Sequence, residues 1–285
     1  LYLSVKGQSK GKLFFSHAKR NISYLVSSLG SRPLDCYSTA DAAEFRQWLV
    51  DKGLGNTSLQ RIFGVVKAVV NFTIKEQGLD CKNAFAGVYL PSEVNKKRLP
   101  IKEAKLKQLQ KECIHLDDDI RWLVALISDT GMRLSEAVGL LVDDLVIDAQ
   151  RPYVNLIAHP HRRLKTDSSE RVIPLVGSSL WAAQRIKQTQ NSPVCFARYC
   201  STVNCNSNSA SAAINKWIKT IVGPDAVIHG FRHGFRDRLR AVEAPVDMID
   251  QLGGWSLRSV GQGYGDGYPL DLLSRWMEKI VLPQF

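Results

Sequence analysis

The stretch HGFRHGFRDRLR, residues 229–240, brings two histidines and four arginines into one segment of helical periodicity. Spacings of three and four place five basic residues on roughly one helical face: His229, Arg232, His233, Arg236 and Arg240. So dense a basic face is unfavourable unless solvent, acidic protein or a phosphate lies against it. Because positions three apart on a helix are neighbours, His229 and Arg232 can converge on one small anion, and we interpret them as candidate anion ligands.

A second arginine stands in TGMRLSEAVGL, residues 130–140. Arg133 lies where a predicted helix begins after the break at Gly131, and Glu136 follows three residues later. A guanidinium at such a boundary can point its donors into a cleft, with Glu136 orienting it. The alternative is that Ser135 and Glu136 merely cap the helix. The pattern alone leaves both interpretations open.

A lysine lies between two predicted β-strands. The runs PYVNLIA (152–158) and ERVIPL (170–175) contain β-branched residues and predict a hairpin or a small sheet edge, with Lys165 in the polar segment between them. A lysine on a mobile turn can swing over a bound backbone and donate a proton to a leaving oxygen. The alternative for Lys165 is a solvated surface charge. We expect the preceding Arg162 and Arg163 to contact that bound backbone as well.

The glycine-rich stretch LGGWSLRSVGQGYGDGY, residues 252–268, contains a tryptophan and two tyrosines. Trp255 follows two glycines directly. Tyr264 has little to pack against among glycines, which favours an exposed nucleophile over a core residue. Tyr268 is the rival nucleophile, but the spacing from Trp255 favours Tyr264.

Charge indicates the class of partner. The chain has 285 residues and a formal net charge of +11, which favours a polyanionic partner, most often nucleic acid. A merely basic soluble protein is the alternative. The cluster Lys96, Lys97 and Arg98 lies between two prolines, where it can follow a phosphate backbone or remain solvated. No stretch approaches the ~20 apolar residues of a membrane span, so we expect no membrane association.

The six cysteines do not have the spacing of a disulfide framework, which favours a reducing compartment. Three of them are evenly spaced and suggest a metal site: Cys195, Cys200 and Cys205. No CxxC pair or HxxxH motif accompanies them, and we expect no metal and no other cofactor. Because the chain begins at Leu1 without a secretory signal pattern, we expect it to be a segment of a longer protein.

The pattern of apolar residues divides the chain. Residues 1–88 predict a small helical domain, with helices in 12–30, 39–53 and 56–78. Residues 89–101 have the composition of a linker. Residues 102–285 predict helices around the short strands. The expected fold is therefore mainly α with a small β-sheet or hairpin, in two domains.

Taken together and in order, these motifs resemble the catalytic domain of tyrosine recombinases of the phage integrase and Xer type. TGMRLSEAVGL resembles their first-arginine box, KTDSSERVIPL their lysine hairpin, HGFRHGFRDRL their His-x-x-Arg-His box and LGGWSLRSVGQGY the segment that ends in the nucleophile. The family often has histidine where Trp255 stands, although Cre recombinase also has Gly-Gly-Trp. The resemblance covers roughly residues 100–280, and the helical first domain fits the family's core-binding domain by position and class.

The resemblance implies a catalytic set assembled from these segments: Arg133, Lys165, His229, Arg232, Trp255 and Tyr264. Glu136 and His233 are expected to support this set. Tyr264 would form a 3′-phosphotyrosyl bond, and Lys165 would protonate the departing 5′ oxygen. Fixed positive charge then makes metal and ATP unnecessary for the reaction.

The resemblance also implies partners and place. Two domains would clamp double-stranded DNA, four protomers would assemble on two specific sites, and strands would be exchanged through a Holliday junction. The expected location is the cytoplasm, in association with the nucleoid.

Two other functions remain open: a type IB topoisomerase-like enzyme and a non-catalytic DNA-binding relative. The complete set of candidate catalytic residues argues against the second. The closing segment LDLLSRWMEKIVLPQF argues against the first, because its apolar stripe predicts a helix that docks on a neighbouring protomer. That stripe consists of Leu272, Leu273, Trp276 and Ile280. Docking of this helix on its own domain is the alternative.

Overall fold

A computed structural model describes residues 1–91, 98–189, 191–255 and 266–283. The chain divides into two compact units, residues 1–96 and 97–285, and each is described by itself. Helices supply most of the regular structure, and a three-stranded sheet lies in the second unit. The prediction of a mainly helical fold with a small sheet is confirmed. The assignment of a core-binding domain to residues 1–88 and a catalytic domain to residues 102–285 stays a prediction.

The described part of the first unit is helical: α1 (Tyr2–Lys6), α2 (Lys12–Leu29), α3 (Thr39–Asp51) and α4 (Asn56–Gln77). Its core forms on the apolar face of α4, where Phe63 and Val66 are fully buried. A capping box fixes the start of α3, since the Ser38 hydroxyl accepts from the Asp41 amide at 3.2 Å and the Asp41 carboxylate accepts from the Ser38 amide at 2.8 Å.

The second unit begins with helices and closes with helices. Its first elements are α5 (Glu103–Leu116), α6 (Asp119–Thr130) and α7 (Leu134–Val138). The strands follow: β1 (Leu145–Val146), β2 (Tyr153–Leu156) and β3 (Arg171–Pro174). The closing elements are α8 (Gly177–Thr189), α9 (Ser207–Ile221), α10 (His229–Ala241), α11 (Val246–Gly253) and α12 (Leu270–Glu278).

The sheet has the order β1-β2-β3 and is antiparallel throughout. The pairing of β2 with β3 is the hairpin that the β-branched runs predict, with Leu156 opposite Arg171. The two-residue strand β1 was not predicted, because so short a segment has no detectable alternation. The connection between β2 and β3 carries Lys165.

A buried carboxylate fastens three elements of the second unit together. Asp129, near the end of α6, is 1% exposed. It accepts from Arg238 of α10 at 2.8 Å and from the Ser178 amide of α8 at 2.9 Å. Because a charged group inside a core is stable only when it is paired, this network fixes α10 against α6.

The closing helix α12 packs on its own unit. Leu273 is 1% exposed, Met277 is fully buried and Ile280, just beyond the helix, is 3% exposed. Arg238 donates to the Ile280 carbonyl at 3.0 Å. In this single chain the apolar stripe therefore has a binding place in cis, where the sequence favoured a neighbouring protomer.

A disulfide joins Cys200 to Cys205. The sequence did not predict this pair, because evenly spaced cysteines say nothing about how the chain folds between them. The two residues come together because the intervening segment turns back, with the Ser201 amide donating to the Asn204 carbonyl at 2.9 Å. None of the described helices is long and apolar enough to cross a membrane.

Candidate active site

A sharp turn between α6 and α7 places Arg133. Helix α6 ends at Thr130 and is capped by Gly131, which has a left-handed φ of 62°. A side chain there would be strained by this backbone and would collide with the ring of Phe235 on α10. Two residues later Arg133 is the N-cap of α7. The glycine thus lets the chain reverse close against α10 and brings this arginine toward the same region.

The guanidinium of Arg133 joins three segments. It donates to the carboxylate of Glu136, to the Ser169 hydroxyl at 3.1 Å and to the Gly254 carbonyl at 3.2 Å. The Glu136 carboxylate also accepts from the Arg133 amide at 2.9 Å. The two interpretations of Glu136 were an orienting partner of the arginine and a helix cap, and this side chain makes both kinds of contact.

Arg232 approaches from the first turns of α10 and is 4% exposed. Its guanidinium donates to the Gly131 carbonyl at 2.8 Å and to the Gly253 carbonyl at 2.5 Å. Burial, together with the charges of Arg133 and Arg171, lowers the pKa of Arg232 to about 9. A guanidinium whose pKa is lowered by burial and by like charge is one that an approaching anion stabilises.

The two arginines meet at one short backbone segment. Arg133 donates to the carbonyl of Gly254 and Arg232 to that of Gly253, so consecutive peptide groups at the end of α11 accept from both. No side chain of the segment takes part in these bonds. Two positive charges from separate elements are therefore held near each other by neutral acceptors, which leaves their charge uncompensated by this contact.

Trp255 covers part of this arrangement. The guanidinium carbon of Arg232 lies 4.4 Å from the centroid of its ring and that of Arg236 lies 4.5 Å from it, both cation–π distances. The ring folds back over Gly253, where any side chain would clash with it. Gly254 ends α11 with a φ of 58° and turns the chain toward the arginines.

His229 begins α10 beside other cations. Burial lowers the pKa of His229 to about 4, and the charges of His233, Arg98, Arg232 and Arg133 add to this effect. The imidazole is therefore neutral at pH 7 and can donate one hydrogen bond without adding another charge. His233, the expected supporting residue, is exposed, and its ring lies 5.1 Å from that of His229.

The segment from residue 98 to 101 reaches the same helix start. The Ile101 amide lies 3.4 Å from the Gly230 carbonyl, and a side chain at Gly230 would meet the Leu99 carbonyl at 2.9 Å. Arg98 is exposed here. Of the three predicted linker cations, the structure describes Arg98 alone, since Lys96 and Lys97 lie outside the described residues.

The connection between β2 and β3 contains both exposed and buried cations. Lys165 and Arg163 are exposed, as contacts with DNA require. Arg162, expected at the DNA backbone, is 4% exposed: its stem packs on Gly139 and its Nε donates to the Gly139 carbonyl at 3.3 Å. Its guanidinium is buried 3.9 Å from the Asp144 carboxylate, and its expected contact with DNA stays a prediction.

The basic face of α10 meets acidic protein as well as open solvent. Arg236 pairs with the buried Asp250 at 2.9 Å, and exposed Arg240 lies 3.6 Å from Asp237. Arg232 donates to the Gly253 carbonyl, and Arg236 reaches this region through the ring of Trp255. The sequence pattern could not make this distinction, because it does not show which acidic residues other helices bring.

Sequence reasoning missed Arg171. This residue of β3 pairs with Glu136 at 3.0 Å, and both side chains are 3% exposed. It also donates to the Leu252 carbonyl at 2.9 Å. Although burial raises it, the pKa of Glu136 is lowered overall by the charges and hydrogen bonds of Arg171 and Arg133. One signal was available: alternation places Arg171 on the same strand face as the buried Ile173.

The two candidate nucleophiles are Tyr264 and Tyr268, and the structure describes the second of them. Tyr264 lies outside the described residues. Tyr268 is partly buried, and its backbone is held by Gln251, which accepts from its amide at 2.9 Å and donates to its carbonyl at 3.1 Å. The structure thus describes both ends of the segment, Trp255 at the arginines and Tyr268 against α11.

Solved structures share this fold. The Tn1549 transposon integrase in complex with transposon right end DNA matches with a TM-score of 0.67 and 17% identity over 95% of each chain. A lambda integrase dimer bound to a COC′ core site matches with a TM-score of 0.66 and 15% identity, over 98% of this chain and 93% of that one. A lambda integrase tetramer bound to a Holliday junction matches with a TM-score of 0.66 and 16% identity, over 93% and 75%. At these identities the likeness is one of fold.

The class that emerges is that of the tyrosine-type site-specific DNA recombinases. A model of the phage integrase family matches residues 100–268, more than half of the chain. The protein therefore belongs to the phage integrase family. No curated protein sequence matches it.

Proposed function

We propose that this protein cuts and rejoins double-stranded DNA by transferring a DNA 3′ phosphate to the phenol oxygen of Tyr264. The observation that carries the proposal is the convergence of Arg133 and Arg232 on the consecutive carbonyls of Gly254 and Gly253. Neutral carbonyls hold the Arg232 guanidinium, and the Glu136 carboxylate additionally holds that of Arg133. Together the two guanidiniums form a preorganised site for a phosphodiester, on which attack spreads further negative charge over the nonbridging oxygens.

The remaining donors divide the work. Neutral His229 donates a hydrogen bond to a nonbridging oxygen, since its lowered pKa keeps it uncharged at pH 7. Exposed Lys165 protonates the departing 5′ oxygen. Glu136 and Arg171 do not touch the phosphate in this proposal; they hold Arg133 in position through their buried ion pair.

Trp255 has two states in this proposal. In the structure its ring lies on the guanidinium of Arg232. A phosphate that binds Arg232 takes the place of the ring, and the indole N–H can then serve as a further donor to the same phosphate. Loss of a cation–π contact worth about 1 kcal/mol is small beside the attraction between a guanidinium and a phosphate.

The nucleophile needs activation, because a phenol has a pKa near ~10 and is mostly protonated at neutral pH. Cations around the phosphate stabilise the phenolate and so favour attack by Tyr264. The bond formed conserves the energy of the phosphodiester, and a 5′ hydroxyl from a partner strand reverses the step. Strand exchange then needs no ATP.

DNA contacts outside the reaction centre come from exposed cations. We assign phosphate contacts to Arg98, whose charge helps to lower the pKa of His229, and to Arg163, two residues before Lys165. Lys96 and Lys97 continue the same basic cluster in the sequence. Such contacts position the protein without reading bases.

Four copies are proposed to assemble on two DNA sites, in the cytoplasm at the nucleoid. A lambda integrase with a similar fold has been solved as a tetramer on a Holliday junction. Exchange of α12 between copies requires this helix to leave the place where Leu273 and Met277 are buried in cis. Assembly and helix exchange are therefore separate parts of the proposal, and the second carries a cost in stability.

A nicked suicide substrate tests the reaction. Tyr264 should become linked to a 3′ phosphate, with a free 5′ hydroxyl, without added metal ions or ATP. Tyr264→Phe should abolish the adduct and retain DNA affinity, while Tyr268→Phe, the matched control, should still form it.

Four results would contradict the proposal. DNA mapped to Tyr268 would show that Tyr264 is not the nucleophile, but would remain consistent with the phage integrase family. A 5′-phosphate adduct or a strict need for magnesium would contradict the proposed mechanism itself. Relaxation of supercoiled DNA without site preference would identify a topoisomerase-like activity instead.

A further inference from the structure

A cluster of possible metal ligands lies on the second unit and contains none of the candidate catalytic residues. It consists of His161, Cys200 and Cys205, whose ligand atoms all lie within 4.8 Å of one another. Cys195, which the sequence groups with these two cysteines, is buried and is not part of the cluster. The histidine comes from a segment 39 residues before the first of these cysteines (200 minus 161), so sequence spacing could not reveal it.

Each ligand is held by local structure. A tight turn presents His161, since the amides and carbonyls of His159 and Arg162 bond each other at 3.1 and 3.0 Å. The two cysteines lie opposite each other as an antiparallel bridge closed by a turn. The Asn206 amide donates to the Tyr199 carbonyl at 2.7 Å just outside them. The backbone therefore brings the three side chains together without any metal.

The hydrogen bond of His161 selects the form of the ring that can bind a metal. Its Nε2 lies 3.0 Å from the Gly139 carbonyl oxygen. A carbonyl only accepts, so Nε2 carries the proton and Nδ1 keeps a free lone pair. Metal-binding histidines commonly donate their other N–H to a backbone carbonyl in this way, which fixes both tautomer and ring orientation.

We propose that, when Cys200 and Cys205 are reduced, they bind one zinc ion together with His161, with water as the fourth ligand. Two thiolates and an imidazole suit zinc, and the bond lengths of about 2.3 Å to sulfur and 2.0 Å to nitrogen separate tetrahedral ligands by about 3.5 to 3.8 Å. All three ligand atoms already lie within 4.8 Å of one another. Reduction must let the two sulfurs move apart, from the roughly 2.0 Å of a disulfide bond to about 3.8 Å, while the histidine moves slightly inward. His161 and Cys205 are partly exposed, which leaves room for water.

The disulfide and the metal site exclude each other. A dithiol reductant gives two electrons and two protons to the Sγ–Sγ bond, yielding two thiols and its own disulfide. Zinc then displaces one proton from each thiol as it binds. The ion would tie the connection that carries Lys165 to the loop between α8 and α9, and it takes no part in the attack by Tyr264, so this inference does not depend on the proposed reaction.

Cobalt provides the direct test. The purified protein is reduced with a dithiol, exchanged into metal-free buffer and titrated with Co²⁺. We expect one Co²⁺ per chain with a thiolate-to-cobalt charge-transfer band, and displacement of the cobalt by zinc. Cys200→Ser and Cys205→Ser should abolish the band, and His161→Ala should weaken binding by about tenfold or more.

Matched substitutions control for cysteine and histidine number. Cys36→Ser removes an exposed free cysteine of the first unit, and His115→Gln removes an exposed histidine of α5 that is not part of the cluster. Both variants should bind Co²⁺ like the parent protein. Retention of the band in Cys200→Ser would assign the metal to other cysteines and overturn the proposal.

Alkylation of the unmodified chain gives an answer that does not depend on how the variants fold. After reduction, zinc should protect Cys200 and Cys205 from iodoacetamide, as read by peptide mass spectrometry, while Cys36 reacts at an unchanged rate. Equal labelling with and without zinc overturns the proposal. So does a Cys200–Cys205 disulfide that survives dithiol treatment of the folded protein, since the thiolates would then not exist.

Discussion

Arg171 and Glu136 form an ion pair of 3.0 Å in which both side chains are 3% exposed. Burial lowers the pKa of Arg171, because it disfavours the charged guanidinium. The negative charge of Glu136 offsets this effect, and each member of the pair compensates the buried charge of the other. Glu136 also connects Arg171 of β3 to Arg133, because the Arg133 guanidinium donates to the same carboxylate. A residue that never reaches the DNA phosphate in our proposal thus fixes one that does.

Arg171→Met should lower the free energy of unfolding by about 3 kcal/mol, the lower end of the range for breaking a buried ion pair, because Arg133 still contacts Glu136. Urea unfolding measures this change. Arg240→Met is the matched control: its partner Asp237 is 3.6 Å away and both side chains are more than half exposed, so the change should stay below about 1 kcal/mol. Equal effects of the two substitutions would deny the buried pair its structural role.

Arg133→Ala and Arg232→Ala should bind DNA and cleave it at least about 100-fold more slowly, because each removes stabilisation of the transition-state charge. Single-turnover cleavage of a nicked substrate provides the rate, and a gel-shift assay the affinity. Arg232→Lys keeps a positive charge but not the two-pronged donor set, and should also be slow. Arg198→Ala, which removes an exposed arginine 3.5 Å from Asp119, serves as the control. Near-normal cleavage by either alanine variant would exclude that arginine from the site.

The lowered pKa of His229 predicts a pH dependence of stability. Unfolding returns the imidazole to its ordinary pKa of 6.5 from about 4, so between these values the unfolded chain binds more protons at this position. The free energy of unfolding from this residue is fully present above pH 6.5 and falls as the pH falls toward 4. His229→Asn should therefore flatten the curve in that window, whereas substitution of the exposed His17 should not. Parallel curves for the parent and His229→Asn proteins would contradict a neutral, partly buried imidazole.

Leu273→Ala should destabilise the isolated protein by about 2–5 kcal/mol, because it leaves a cavity where α12 packs on its own unit. Leu272→Ala, at the partly buried neighbouring position, should cost less. Thermal melts of both variants without DNA report the packing in cis. If Leu273→Ala melts like the parent but fails to assemble on two DNA sites, the helix belongs on a neighbouring copy.

Helices and the hairpin could be predicted from the sequence, because their apolar periods and breaks are local. The helices α2, α3 and α4 begin and end within two residues of the predicted bounds, whereas the short α1 was not predicted. Strand β2 pairs with β3 as expected. Helix α7 is shorter than its apolar pattern, since the chain leaves it at Gly139 where Arg162 packs.

The site was only partly predictable. Arg133 and Arg232 stand out by type and position, but their shared acceptors are backbone carbonyls, which carry no side-chain signature. The burial of Arg162 depends on Asp144 and on the bare Cα of Gly139, and the ligand His161 on a contact between distant segments. Such features arise from tertiary packing, which a pattern of residue types does not contain.

The indole of Trp255 rests where a side chain at residue 253 would otherwise be. Even a methyl group at that position would push the ring aside and expose the guanidinium of Arg232 to water. The hydration of Arg232 therefore depends on Gly253, the residue whose carbonyl accepts from this arginine, because Gly253 has no Cβ atom. The lack of a side chain at Gly253 thereby determines how much water an incoming phosphate must displace from Arg232.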